Sequence, residues 1–311
     1  MFNLLGTIYK ISQGILGTLI KLLWNVLIIL LVWPLKFLTR TMGYFMGFFI
    51  YLGYFMVLYA AFISLFEYQA SKVPWTHMTD FSSLSWNERD TIISMAEMSA
   101  YAYVTDSDAT SYLNRLKAKG YETFGRPHIN EEGLTYVTLK KGNTIYLAFR
   151  GSDSVADWET DAKMIFGLIT TNTDRFISAR NVAEDLLASN PGKNLVLVGH
   201  SLGGAMVQYV VNELPSSRIT HAYTFNPLGI PDGVARTCTN KLTDVIHEAD
   251  IAQLVMGEKH VVGRGILVRG KYSESGDEEL GLTDLVDQHS IKLSIMNMRS
   301  QHEQMCPIPS R

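Results

Sequence analysis

The sequence predicts an α/β domain with a mainly parallel central sheet, preceded by an N-terminal transmembrane helix or helical hairpin. Strand-like and helix-like patterns alternate through the second half of the 311-residue chain, an order typical of parallel sheets. Residues 42–66 contain no charged side chain, and about 20 apolar residues are enough to cross the hydrocarbon core of a bilayer. Together these patterns predict a membrane-anchoring region followed by a folded domain.

Turn residues and hydrophobic patterning locate the strands and helices. Residues 134–139 and 144–149 favour β structure and are separated by Lys-Lys-Gly-Asn, which predicts a hairpin. Residues 195–198 have the sequence Leu-Val-Leu-Val, a short apolar run typical of a strand buried on both faces of a sheet. Further patterns predict helices over residues 175–188 and 205–214 and strands over residues 219–225 and 242–246.

Two local signals flank this region. Ser85 followed by Glu88 predicts the capping box of an amphipathic helix over residues 86–103, which we expect to cover the sheet. The segment HVVGRGILVRG, residues 260–270, predicts a second hairpin. The expected organisation is a membrane-anchoring helical region over 1–70, a linker over 71–85, the α/β domain over 86–300 and a polar tail over 301–311.

The charges and cysteines exclude several classes of protein. The net charge of -3 and the pI near 6.2 arise from interspersed acids and bases, without the basic patch expected of a nucleic-acid binder. Cys238 and Cys306 lack the spacing of a zinc site or redox pair, so they form either one disulfide or two free thiols. No ligand cluster for a metal or organic cofactor is visible, and we predict none.

The N-terminal region leaves one structural question open. Residues 22–35 are also apolar but short, and they form either a second span or a helix in the membrane plane. The long apolar run begins too late for a cleaved signal peptide. Gly43 and Gly47 have the GxxxG spacing of close helix association, although glycine is also simply common in membrane helices.

The chemistry of the chain centres on a Gly-x-Ser-x-Gly motif. Gly199, Ser201 and Gly203 stand between a predicted buried strand and a predicted helix. In this context the glycines allow a sharp turn that exposes the serine oxygen, and the helix N-terminus favours developing negative charge. Ser201 is therefore the predicted nucleophile. The alternative is a glycine-rich turn that only packs strand against helix.

The segment Gly-His-Ser-Leu-Gly-Gly, with Phe149-Arg150-Gly151-Ser152 upstream, resembles the class 3 lipase family of α/β-hydrolases. The resemblance covers roughly residues 88–292. It implies that the Ser152 side chain and the backbone N–H of Leu202 form the oxyanion hole, and the family's Asp-Trp pair is matched by Asp157-Trp158. It also implies hydrolysis of lipid esters without a cofactor.

In such folds the acid and the histidine follow the serine in chain order. Asp250 matches the family's acid loop just after the strand over 242–246, and Asp287-Gln288-His289-Ser290 resembles its histidine segment. We therefore predict a triad of Ser201, Asp250 and His289. The rival acids are Asp244, expected inside the strand, and Asp232, expected in the turn after Asn226-Pro227; residues in such places more often face solvent or form turns. The rival bases are His260, in the predicted second hairpin, and His302, in the polar tail, whereas His200 is expected to be structural.

The chain departs from the family after Trp158, where many members carry a Val-His-x-Gly-Phe-like segment. Here Thr173-Asp174-Arg175-Phe176 occupies the region, which leaves the lid undefined. Residues 164–169 (MIFGLI) are either a lid or an ordinary core segment.

The motifs and the apolar N-terminus together predict a membrane-anchored lipase or phospholipase whose partners are lipids and the membrane. Alternatives are a thioesterase or soluble-ester hydrolase with the same triad, or a membrane-disrupting effector that acts through its N-terminal segment. Lys36 and Arg40 precede the long span and Glu67 follows it. Because basic flanks stay cytoplasmic, the catalytic domain is expected on the extracytoplasmic side.

Overall fold

The structure, a computed structural model, describes residues 50–60, 78–104, 106–129, 134–152, 173–229, 240–248, 250, 263–270 and 290–303. The chain divides into two compact units, Met1–Leu65 and Phe66–Arg311. In the first unit, residues 50–60 are helical, and most of their large apolar side chains are exposed.

Among the described residues, no helix has the length and apolar character needed to cross a bilayer. The remainder of the predicted span over 42–66 lies outside those residues, so the span stays a prediction. Several other predictions also concern residues outside the described ranges and remain predictions. These residues are the apolar stretch 22–35, Gly43 and Gly47, the segment 164–169, and Cys238 and Cys306.

The second unit is built from strands and helices in alternation. The strands are β1 (Thr79–Asp80), β2 (Glu122–Thr123), β3 (His128–Ile129), β4 (Thr135–Lys141), β5 (Thr144–Phe149), β6 (Asn194–His200), β7 (Ile219–Phe225), β8 (Leu242–His247) and β9 (Arg264–Val268). The helices are α1 (Trp86–Tyr101), α2 (Ala109–Ala118), α3 (Thr173–Ser189), α4 (Leu202–Glu213) and α5 (Ile291–Glu303). The patterned strands and helices of the sequence are therefore confirmed to within a few residues.

Within the described residues the strands form one sheet in the order β1-β9-β8-β7-β6-β5-β4-β2, with β3 also paired to β4. In this spatial order, β1, β9, β8, β7, β6 and β5 are each parallel to the next strand. The predicted hairpin is β4 and β5, which are antiparallel and register Lys141 against Thr144. The sheet is thus mainly parallel, as predicted, with an antiparallel margin.

The core lies on both faces of this sheet. Val196 and Val198 of β6 belong to an apolar cluster that includes residues of α1, α2 and α5. Leu195 and Leu197, the alternate residues of the same strand, belong to a second cluster with residues of α3 and α4. Because side chains alternate along a strand, the continuous apolar run is explained by burial on both faces.

Helix α1 begins as predicted but packs differently. The Ser85 hydroxyl accepts a hydrogen bond from the Glu88 N–H at 3.3 Å, so the cap is formed. The Glu88 carboxylate pairs instead with Arg264. The helix is not amphipathic: every residue from 92 to 100 is buried, because α2 and α5 pack against it as well as the sheet.

Two further expectations need correction. The second arm of the predicted hairpin over 260–270 is β9, which lies between β8 and β1 and is parallel to both, so it has no antiparallel partner among the described strands. The fold also includes residues that we assigned to the linker over 71–85. Thr79 and Asp80 form β1, and Phe81 is fully buried.

Candidate active site

Ser201 occupies the turn between β6, which ends at His200, and α4, which begins at Leu202. Its backbone angles are φ 57° and ψ −124°. Residues other than glycine rarely adopt positive φ, and such strain persists only where the surrounding structure enforces it. The predicted strand-turn-helix context of the serine is therefore present, with the strain expected of a nucleophile elbow.

Glycines make this turn possible by removing side chains that would collide. A Cβ on Gly199 would lie 2.7 Å from the N atom of Gly204 and would overlap the carbonyl of Gly203. A Cβ on Gly203 would overlap the carbonyl oxygen of Phe149, at the end of β5. The glycines of the motif thus allow β6, α4 and the end of β5 to meet at Ser201.

Backbone hydrogen bonds fix the turn from neighbouring strands. The Ser201 N–H donates to the carbonyl oxygen of Phe225 at 3.0 Å, and the Ser201 carbonyl accepts from Ala205 N–H at 3.1 Å and Leu228 N–H at 3.3 Å. Leu202 is the first residue of α4, and the leading N–H groups of a helix have no acceptor within it. This places the predicted oxyanion donor, the Leu202 amide, at the positive end of a helix dipole.

The Phe149-Arg150-Gly151-Ser152 segment lies directly beside Ser201. β5 and β6 are parallel neighbours, and Phe149 is in register with Gly199. A Cβ on Gly151 would lie 2.6 Å from the carbonyl oxygen of His200 and 3.1 Å from the Cβ of Ser201. The Ser152 hydroxyl is buried and has no hydrogen-bond partner among the residues that the structure describes. Ser152 directly follows Gly151, the glycine that packs against Ser201, so its hydroxyl is a candidate donor for the site.

Asp250 lies just beyond β8, two strands from β6 in the sheet, and is fully buried. Its N–H donates to the carbonyl oxygen of His247 at 3.2 Å. His289 lies outside the described residues, and Ser290, the next residue, leads into α5. The structure thus packs Gly151, the residue before Ser152, against Ser201 and places Asp250 at the same carboxyl edge of the parallel strands.

The rival acid Asp244 is not solvent-facing, contrary to our expectation. It is fully buried in β8 and accepts hydrogen bonds from Gln208 Nε2 at 2.9 Å, Thr224 Oγ1 at 2.5 Å and the Gly263 N–H at 2.8 Å. Both carboxylate oxygens are engaged in this network, which joins α4, β7 and the start of β9. These hydrogen bonds use the Asp244 carboxylate to hold neighbouring elements of the fold together.

The other candidates for the acid and the base are Asp232, His260 and His302. His302 lies in the last turn of α5, and its ring packs against that of Trp86 with 4.7 Å between centroids and a tilt of 37°. Asp232 and His260 lie outside the described residues, as do Asp157 and Trp158. In the part of the chain that the structure describes, no group of three or more His, Cys, Asp or Glu side chains could hold a metal ion.

Sequence patterns did not identify Tyr103 as a neighbour of the site. Its hydroxyl lies 2.8 Å from Nδ1 of His200, and it would lie 2.5 Å from a Cβ on Gly151. His200 is buried and faces this tyrosine, which agrees with the structural role predicted for it. A lone tyrosine after a helix carries no spacing signal that could have revealed this contact.

Sequence patterns also missed His247, whose carbonyl oxygen accepts a hydrogen bond from the Asp250 N–H. Its Nδ1 lies 2.8 Å from the Glu248 carbonyl oxygen, and its Nε2 lies 2.6 Å from Nδ2 of Asn297. A carbonyl oxygen only accepts, so Nδ1 carries the hydrogen and Nε2 accepts from Asn297. Burial lowers the pKa of His247. With both ring nitrogens engaged in hydrogen bonds, His247 is not placed to act as the base.

A serine on a strained strand-to-helix turn, above a mainly parallel sheet, defines this chain as an α/β-hydrolase. Residues 94–255 match the family model described as Phospholipase-like: Tle-like phospholipase domain. The match covers more than half of the chain, which therefore belongs to this family. The family match confirms the lipid-ester hydrolase that the sequence motifs predict.

Solved structures similar to this chain include three lipases. Rhizomucor miehei triacylglyceride lipase is 16% identical, with a TM-score of 0.46 and coverage of 68% of this chain and 98% of that chain. Lipase II from Rhizopus niveus is 16% identical, with a TM-score of 0.44 and coverage of 68% and 94%. Lip2 lipase from Yarrowia lipolytica is 14% identical, with a TM-score of 0.44 and coverage of 66% and 93%. No curated protein matches the sequence at a significant level.

Proposed function

We propose that this chain is a membrane-anchored serine phospholipase that cleaves carboxylic ester bonds of membrane lipids. Ser201 is the nucleophile, Asp250 the acid and His289 the base of its triad. The Ser152 side chain and the Leu202 amide form the oxyanion hole. The observation that carries the proposal is the strained backbone of Ser201, at φ 57°. The close contact of Gly151 with Ser201 supports it, as does the buried Ser152 hydroxyl, which has no hydrogen-bond partner among the described residues and directly follows that glycine.

The proposed reaction follows the roles of these groups. His289 takes the proton of the Ser201 hydroxyl as its oxygen attacks the ester carbonyl carbon, and Asp250 stabilises the imidazolium that forms. The carbonyl oxygen becomes an oxyanion held by Ser152 and Leu202. His289 then protonates the leaving alcohol. In the second half of the reaction His289 takes a proton from water as the water oxygen attacks the acyl carbon, and it returns that proton to the Ser201 oxygen as the fatty acid leaves.

The substrate class rests on two supports. The family description names phospholipases, and a domain anchored beside a bilayer meets phospholipids at high local concentration. The uncharged sequence over residues 42–66 supports the anchor. Lys36 and Arg40 before that stretch support a catalytic domain on the extracytoplasmic side.

Fatty-acid release by the full-length chain tests the substrate class. We expect faster release from phospholipid vesicles than from a triacylglycerol emulsion, a thioester or a short soluble ester of equal carbonyl concentration. The Ser201→Ala variant should lose at least about 1,000-fold in rate. Ser99→Ala, which alters a fully buried serine of α1, is the matched control and should retain the wild-type rate. Preference for a thioester or soluble ester would overturn the phospholipid assignment.

The same variant separates the enzyme from a membrane-disrupting effector. Leakage of dye from phospholipid vesicles should disappear with Ser201→Ala if hydrolysis causes the damage. Leakage that survives the substitution would assign the effect to the N-terminal segment.

Protease added to intact cells or spheroplasts should digest the domain carrying Ser201, and protection until lysis would contradict the proposed orientation.

A further inference from the structure

Four polar side chains are buried where β7, β8 and α5 meet. Asn226, His247, Ser294 and Asn297 are each no more than 3% exposed. A buried polar group is costly unless it finds a hydrogen-bond partner, so a cluster of four must be connected to persist. We call these four residues the β8–α5 latch.

Asn226 is the centre of one half of the latch. Its Oδ1 accepts from the His247 N–H at 2.8 Å, and its Nδ2 donates to Ser294 Oγ at 3.4 Å. Its φ is 45°, in the left-handed region that asparagine tolerates better than most residues. The backbone after β7 therefore turns so that one amide side chain reaches both β8 and α5.

His247 and Asn297 form the other half. Asn297 Nδ2 donates to His247 Nε2 at 2.6 Å, and the opposite ring nitrogen donates to the Glu248 carbonyl at 2.8 Å. The ring thus connects α5 on one side to the end of β8 on the other. Asp250 is tied to the same point, because its N–H donates to the His247 carbonyl.

The latch joins the two chain segments that must meet for catalysis. β8 leads into Asp250, and His289 immediately precedes Ser290 and α5 in sequence. We propose that His247 and Asn297, supported by Asn226 and Ser294, are positioning residues that hold α5 against the end of β8 and so set the acid and base of the triad at working distance. This inference rests on the proposed roles of Asp250 and His289.

Two substitutions at one position separate the two sides of the ring. His247→Gln keeps an acceptor for Asn297 near the place of Nε2, whereas His247→Asn keeps a donor for Glu248 near Nδ1 and loses the link to α5. We expect His247→Gln to retain kcat within about threefold. His247→Asn should lower kcat at least about tenfold with little change in KM, because a misplacement of about 1 Å can cost on the order of 100-fold.

The pH dependence of kcat/KM supplies a readout that a purely structural role would not move. A nearby carboxylate favours the imidazolium form and raises the pKa of the base. If loss of the latch separates Asp250 from His289, the acidic limb of the profile in His247→Asn shifts to lower pH. The limb in His247→Gln should coincide with that of the wild type.

Arg89→Met is the matched control for the stability of α5. Arg89 is fully buried in α1 and donates from Nη1 to the Gln301 carbonyl at 3.1 Å, so it holds the opposite end of the same helix. We expect this variant to lower Tm while kcat and the acidic limb remain unchanged. His247→Asn, compared at a temperature where both variants are folded, should then differ from it in kcat.

Wild-type kcat in His247→Asn, or an equal loss of kcat in Arg89→Met, would overturn the positioning role. A wild-type rate in Ser201→Ala would instead overturn the proposed function itself. If His247→Asn does not fold, Asn297→Ala removes the same hydrogen bond from the other partner and is judged by the same kcat and pH criteria.

Discussion

Gly151 packs so closely on His200 that a Cβ would lie 2.6 Å from the His200 carbonyl oxygen. The same Cβ would lie 3.1 Å from the Cβ of Ser201, so the loop after β5 and the elbow after β6 touch through backbone atoms. Backbone cannot move aside as a flexible side chain can. Any side chain at position 151 must therefore displace the loop that carries Ser152.

Gly151→Ala should lower kcat at least about tenfold, because displacement of the loop by a few tenths of an ångström misaligns a proposed oxyanion donor. Steady-state kinetics on a short-chain nitrophenyl ester measures the effect. Gly142→Asn is the control: a Cβ there meets nothing within 4 Å, and asparagine tolerates its φ of 58°. Wild-type kcat in Gly151→Ala would show that the loop does not contribute to catalysis.

Ser152→Ala tests the donor itself. Removing one oxyanion donor typically costs about 100- to 1,000-fold in kcat, and KM should change little because the interaction forms only in the transition state. Ser152→Thr keeps the hydroxyl and should restore most of the rate. Equal rates for Ser152→Ala and the wild type would remove Ser152 from the oxyanion hole.

The two buried aspartates should respond differently to conversion into asparagine. Asp250→Asn should lower kcat by about 10,000-fold while the domain stays folded, since the charge that orients the base is lost. Asp244→Asn should retain kcat but lose about 1–3 kcal/mol of unfolding free energy, because an amide nitrogen would face donors such as Gln208. Chemical denaturation and kinetics on both variants measure this contrast, and the reverse pattern would exchange the two roles.

The pH dependence of stability should carry a contribution from His247. Burial holds its pKa in the folded state below the ordinary histidine value of about 6.5, so below about pH 6.5 the unfolded chain binds the proton more readily. The free energy of unfolding should then fall as pH decreases from 7 toward 5. His221 contributes in the same direction, because burial also lowers its pKa. In His247→Gln the free energy of unfolding should fall less steeply between pH 7 and 5 than in the wild type. An unchanged pH dependence would contradict the contribution assigned to His247.

The parallel sheet and the turn at Ser201 were predictable because each depends on a pattern of residues that are adjacent in the chain. The run Leu195 to Val198 is apolar at every position, and only burial on both faces of a sheet accommodates that pattern in a strand. The glycines around Ser201 are likewise adjacent in the chain. Local patterns of this kind need no knowledge of the tertiary structure.

The β8–α5 latch and the burial of Asp244 were not predictable, because both depend on residues that are far apart in the sequence. A single carboxylate in a strand favours a solvent-facing position until the fold brings donors from Gln208, Thr224 and Gly263 around it. Asn297 and His247 are similarly distant in sequence, and neither has a neighbour that marks the pairing. Such contacts depend on how α5 and α4 pack, which periodicity does not encode.

Covalent labelling of the nucleophile tests the central claim most directly. The full-length protein is treated with a long-chain fluorophosphonate, and the modified peptide is mapped by mass spectrometry while phospholipid hydrolysis is followed in parallel. The account predicts one adduct, on Ser201, whose occupancy rises in proportion to the activity lost, and no adduct in Ser201→Ala. Complete inactivation with Ser201 unmodified, or full phospholipid hydrolysis with Ser201 fully labelled, would contradict it.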